Sequence, residues 1–295
     1  MIIFIAGHFS NGWCDLLPDK PLIFSLETDK GVTSCLIAIN HLTLTPAIES
    51  SAIINCERQA HALIVGANPA LISSDFWGNY ERKKGDFEIS MLRESTQKKI
   101  KPALRISKYS DEEIKRFFSL HPLAIYRALI YSKVMAPRYE LKANLDLQII
   151  AAANSKGFKI IEMEGMPRFF RLERQLSLVE VDDLISRMCD LLLQPEKMKV
   201  YSEKVNGYAE HLSSQPDVDT AWNKKHWFNT VVLGLPEYTV RHDVDSRNPG
   251  MVRGILSAME IQGDVLILIG AAHIGGPMGV LQLLKEKGVK INRID

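Results

Sequence analysis

His273 follows the apolar run Val265 to Ile269 inside a glycine-rich stretch, G-A-A-H-I-G-G-P-M-G at 270 to 279. His8 follows a second apolar run, Met1 to Ala6, directly after Gly7. A neutral imidazole is a ligand for divalent transition ions and a general base near neutral pH, so the two positions are candidates for one kind of chemistry. Carboxylates could complete it. Glu27 closes the apolar run Leu22 to Leu26, and Glu164 follows the strand-like Phe158 to Met163. Either could bind a metal or accept a proton. Arg247 and Asn248 precede the helix-like segment Pro249 to Met259, where both side chains and the helix N-terminus favour a carbonyl or carboxylate oxygen.

The candidate metal ligands are therefore His8, Glu27, Glu164 and His273, and the candidate catalytic set is Glu27, Glu164, Arg247 and Asn248. Simpler readings stand beside these. A strand-end carboxylate is often just solvated, and Arg247 could pair with one of the acids rather than with a substrate. His41 and His61 show no partner spacing, and Trp222, His226 and Trp227 read as packing. The glycines after Ile269 match neither a G-x-G-x-x-G dinucleotide fingerprint nor a Walker loop.

Positioning these residues requires short buried strands whose ends share one rim. Met1 to Ala6, Leu22 to Leu26, Thr33 to Ile39, Ala62 to Gly66, Phe158 to Met163 and Val265 to Ile269 all read as such strands. Helical spacing occupies about Thr45 to Arg58, Asp111 to Leu120, Leu123 to Lys133, Asn144 to Ala153, Leu176 to Leu193, Glu196 to Leu212 and Gly279 to Lys287. The alternation predicts an α/β fold with a central, mostly parallel sheet flanked by helices, as a single domain over 1–295 carrying a largely helical insert around 165–230. If Met1 to Ala6 lay beside Val265 to Ile269, His8 and His273 would share the rim.

Composition bounds the partners. The 295 residues are 46% hydrophobic, enough for a substantial core. With 36 basic and 35 acidic side chains the net charge is +1, which calls for neither nucleic acid nor an anionic membrane. No apolar run is long enough to span a bilayer, and the N-terminus lacks the pattern of a cleaved leader. These features predict a soluble, cytoplasmic protein. Cys14, Cys35, Cys56 and Cys189 lack C-x-x-C spacing and read as reduced thiols.

The stretch R-N at 247 and 248, then the helix, then L-I-L-I-G-A-A-H-I-G-G-P-M-G-V-L-Q-L-L-K-E-K-G-V-K-I, closely resembles the C-terminal signature of the TraB, PrgY, GumN and Tiki family, including its G-x-x-H motif at Gly270 to His273. Looser matches are I-A-G-H at 5 to 8, S-L-E-T-D at 25 to 29, the segment 144 to 164, and His121-Pro122 where the family carries a proline-aromatic pair. At 5 to 8 the chain departs from G-x-x-H, with Ile5 in place of the motif glycine. The resemblance implies an α/β fold related to erythromycin-esterase and ChaN-like proteins. It also implies a metal-dependent peptidase that uses the motif histidines, a glutamate and a divalent ion, manganese or cobalt before zinc or iron. Bacterial relatives associated with shutting down a peptide pheromone imply an alternative, a protein that sequesters a peptide without cleaving it. The related esterase fold implies a third, a hydrolase using a histidine base without metal.

Overall fold

The computed structural model describes residues 22–39, 51–66, 76–130, 132, 145–164, 174–201 and 244–294. Their order is β1 (Leu22–Glu27), β2 (Thr33–Ile39), α1 (Ser51–Gln59), β3 (Ala62–Val65), α2 (Glu94–Ile106), α3 (Asp111–Ser119), α4 (Leu123–Ile130), α5 (Leu145–Ser155), β4 (Lys159–Glu162), α6 (Leu178–Leu193), α7 (Asn248–Gln262), β5 (Val265–Gly270), α8 (Val280–Glu286) and β6 (Lys290–Arg293). The strands form one six-stranded sheet in the order β4-β3-β5-β2-β1-β6. β4, β3, β5 and β2 run parallel, β1 is antiparallel to β2, and β6 is antiparallel to β1. The fold is α/β with a mostly parallel sheet, as the alternating pattern predicts.

Strand side chains alternate between two apolar layers, because successive residues point to opposite faces. One layer joins Leu36, Ile64, Val265, Ile267 and Ile269 to Met251, Ile255 and Met259 of α7 and to Val280 and Leu284 of α8. The other joins Ile37, Leu63, Leu266 and Leu268 to Ile53 of α1 and to Ile149 and Ile150 of α5. β5 therefore leaves the sheet toward one face, through α8, and β2 leaves toward the other, through α1. Adjacent parallel strands whose connections part in this way open a crevice at their carboxyl ends.

A third cluster is purely helical, built from α2, α3, α4 and α6 around Ile100, Phe117, Leu123, Leu129, Ile185 and Met188. It draws on α2, α3 and α4 as well as α6, so it is built from segments on both sides of β4 in the chain. α2 carries Pro102 inside it and few apolar residues, which hides its helical spacing. Arg93, just before α2, pairs with Asp182 and Asp183 of α6. Ser110 and Ser177 each form a capping box with a glutamate, which sets the starts of α3 and α6.

His121 is structural in this helical part. It is buried, and its Nδ1 accepts a hydrogen bond from the Leu123 backbone N–H at 3.3 Å, capping α4. Burial lowers its pKa from 6.5 to about 4; the positive Arg174 adds to this and Asp86 opposes it. The folded state thus holds His121 neutral where the unfolded chain would be protonated. The sign follows: this contribution to stability is complete above pH 6.5 and is lost as pH falls toward about 4. Thermal melts across that window should show a declining midpoint, with a shallower decline in His121→Asn, which retains an acceptor for the Leu123 N–H and does not titrate.

The cysteines differ from the expected reduced thiols: Cys35 of β2 and Cys56 of α1 form a disulfide at a sequence separation of 21 residues. The packing of α1 on β2 brings them together, which no spacing rule foresees. Closing a loop of that length is worth about 3 kcal/mol. Urea unfolding under reducing conditions should therefore lose about that much stability, and Cys35→Ala/Cys56→Ala should show no such dependence. Such bonds persist in oxidising surroundings, whereas the sequence reading expects a cytoplasmic protein. Among the described residues no helix is long and apolar enough to cross a membrane.

Candidate functional site at the carboxyl edge of the sheet

Four of the predicted site residues meet where β4 and β5 end. Beyond β4, the Met163 N–H still donates to the Val65 carbonyl at 2.8 Å, so Glu164 emerges at the sheet's carboxyl edge. Beyond β5, Ala271–His273 forms a short 3-10 turn that leaves His273 buried at the same edge. α7 brings Arg247 and Asn248 to the same edge, with Arg247 as its N-cap residue and Pro249 at the start of the helix.

Arg247 and Glu164 form a forked ion pair. Arg247 Nε donates to Glu164 Oε1 at 3.0 Å and to Oε2 at 2.8 Å, and Nη2 lies 2.7 Å from Oε2. The Glu164 side chain is 1% exposed and that of Arg247 is 17% exposed. Each charge therefore has a partner in a setting where an unmatched charge would be costly. The sequence reading gives Glu164 to a metal or to proton transfer, and Arg247 to a substrate oxygen. In this structure they bind each other, which fixes the start of α7 against the end of β4.

A glycine permits that approach. At Gly254 of α7 a Cβ would stand 2.8 Å from the Met163 Cα and closer still to its carbonyl oxygen. Alanine would improve helix propensity by about 1 kcal/mol, yet the obstacle is backbone and cannot rotate away. Gly254→Ala is expected to destabilise the protein by about 1–3 kcal/mol, read as a lower urea midpoint, because helix and strand must separate. A midpoint raised above wild type would show that the two are not in close contact.

Asn248 has no exposed surface and makes two hydrogen bonds with its side chain. Its Nδ2 donates to the Met278 carbonyl at 2.8 Å, and its Oδ1 lies 2.7 Å from His273 Nδ1. The turn between His273 and α8 is compact, since a Cβ at Gly279 would come within 2.5 Å of the Ile274 carbonyl oxygen. His273 is itself buried, with 9% of its surface exposed. Asn248 thus holds both ends of the turn, the histidine and the carbonyl before Gly279, rather than the substrate oxygen expected for it.

Glu27 is elsewhere. β1 runs opposite to β2, with Glu27 opposite Thr33, and the Thr33 backbone N–H donates to Asp264 at the amino end of β5. Glu27 therefore sits at the far edge of the sheet from His273, exposed and paired with Lys290 at 3.2 Å. It cannot share one ion with His273 across the length of a strand. The shared-rim expectation assumed parallel strands, whereas T-D-K-G after Glu27 makes a hairpin turn with Gly31 at φ 77°.

His8 and the strand-like Met1 to Ala6 lie outside the described residues. Both sides of β5 are nevertheless taken, by β3 and β2, so no edge of β5 is left for another strand. Both neighbours of β5 end on the same rim, β3 with Val65 in register with Leu268 and β2 with Ile39 in register with Gly270. In sequence, His41 is the second residue after Ile39; it too lies outside the described residues.

Do these residues fit a metal? His273 offers an oriented imidazole, whereas both oxygens of Glu164 accept from Arg247 and Glu27 is remote. Among the described residues, no group of three or more histidine, cysteine, aspartate or glutamate side chains could hold an ion. Among the described residues the fit is one ligand, His273.

A family model described as the TraB/PrgY/gumN family matches residues 89–293. The matched span takes in Glu164, Arg247, Asn248 and His273 and excludes Glu27 and His8. No curated protein and no solved structure matches the chain.

Proposed function

The chain belongs to the TraB/PrgY/gumN family, and on that premise we propose that it is a divalent-metal-dependent hydrolase acting on a peptide or on a small amide or ester. The observation that carries this reading is the buried His273, held through Nδ1 by Asn248 at the carboxyl edge of β5. Histidines that serve as ligands have their second ring nitrogen fixed in this way. His273 would contribute one ligand, and His8 remains the candidate for another. Manganese or cobalt is favoured, and zinc or iron would suit the same donors. A bound ion would polarise the scissile carbonyl and acidify a water. Glu164 and Arg247 would act through position, by holding α7 and with it Asn248. The crevice between β5 and its neighbours would take the substrate.

A second reading has its own support. In sequence Ile5 stands where the family's first G-x-x-H motif has its glycine, and the buried carboxylate of Glu164 is engaged by Arg247. A protein that binds a peptide at this crevice without cleaving it would need no more. Incubation with a peptide library in manganese or cobalt, read by mass spectrometry, separates the two. New fragments that vanish with chelator and return with metal would support the hydrolase. Saturable binding without fragments would support sequestration, and cleavage that survives chelation would point to a histidine base working without metal.

A further inference from the structure

We propose that Asn248 is a positioning residue that sets the tautomer of His273, so that Nε2 is the ring atom that does the chemistry. Asn248 Nδ2 faces the Met278 carbonyl, a group that can only accept, so the amide nitrogen must be on that side. Its Oδ1 therefore faces His273 Nδ1 at 2.7 Å. That oxygen can only accept, so Nδ1 carries the proton, and in the neutral ring Nε2 bears the lone pair. Asn248 has no exposed surface, so no solvent competes for either contact. The forked Glu164–Arg247 pair fixes the residue immediately before it, and Gly279 allows the turn to fold back tightly enough to bring the Met278 carbonyl within reach. A free histidine favours the opposite tautomer, with the proton on Nε2, so the asparagine reverses a default.

The tautomer stands independently of the hydrolase reading; only its use as ligand or base rests on that reading. The test is nitrogen-15 NMR of the metal-free protein with labelled histidines, with His273 assigned by its absence from His273→Gln. The wild type should show a protonated Nδ1 and an unprotonated Nε2. Asn248→Ala should move the proton toward Nε2 and weaken manganese or cobalt binding by about 10- to 100-fold in calorimetry. Asn248→Asp retains an acceptor and should keep the wild-type tautomer. A merely structural asparagine would lower the melting temperature without moving the proton. A wild-type spectrum with Nε2 protonated would overturn the proposal even if Asn248→Ala did not fold. The predicted tautomer in a protein that binds no metal would leave Asn248 as assigned and remove the metal reading instead.

Discussion

Arg247→Ala should destabilise the protein by about 3–5 kcal/mol, because it leaves the Glu164 carboxylate buried without a partner. The Glu164 side chain is 1% exposed, and both of its oxygens take their hydrogen bonds from the same guanidinium. A domain is typically stable by only about 5–15 kcal/mol, so the loss would be a large share of the whole. Arg247→Lys should recover only part of it, since an ammonium cannot present the fork that meets two oxygens. Glu164→Gln/Arg247→Met should recover most, because the cost arises from the unmatched charge rather than from the loss of an attraction. Urea unfolding of the three variants beside the wild type reads this directly. If Arg247→Ala unfolds at the wild-type midpoint, the pair is solvated and does not anchor α7.

On the hydrolase reading, His273→Ala has the largest expected effect on activity: turnover falls below detection while the protein still folds. The side chain sits on a short 3-10 turn after β5 rather than within a helix or strand of the core. The buried Asn248 Oδ1 would lose its partner, at a cost of about 1–3 kcal/mol, while Nδ2 keeps its bond to Met278. Activity that survives in His273→Ala would assign the chemistry to another residue.

The parts of the fold legible in the sequence were those governed by local pattern. Val265 to Ile269 reads as a strand because it is a short, uninterrupted apolar run, and it is β5. The start of α3 is written in Ser110 and Glu113, and the end of α8 in Gly288 at φ 83°. What local pattern does not contain is direction and pairing. Leu22 to Leu26 is a strand, but the hairpin to β2 reverses it and carries Glu27 to the wrong edge. Cys35 and Cys56 look unrelated until α1 packs on β2.

The candidate site was legible as a set of residue types and less so as a set of roles. Glu164, Arg247, Asn248 and His273 do come together, because each lies at a strand end or helix start on the same rim. Their hydrogen bonds then decide what each can do. The alternative weighed from charge alone, a salt bridge from Arg247 to a rim carboxylate, is the arrangement present. The amide bridging His273 and Met278 could not be foreseen, because it depends on how the turn at 273–279 closes over α7.

The central claim is that the His273 rim is a divalent-metal site, and calorimetric titration of manganese and cobalt into the wild type and His273→Ala tests it most directly. The account predicts stoichiometric binding by the wild type that His273→Ala abolishes, with His8→Ala and His41→Ala run alongside to locate the second ligand. Equal binding by wild type and His273→Ala, or none by the wild type, would contradict it.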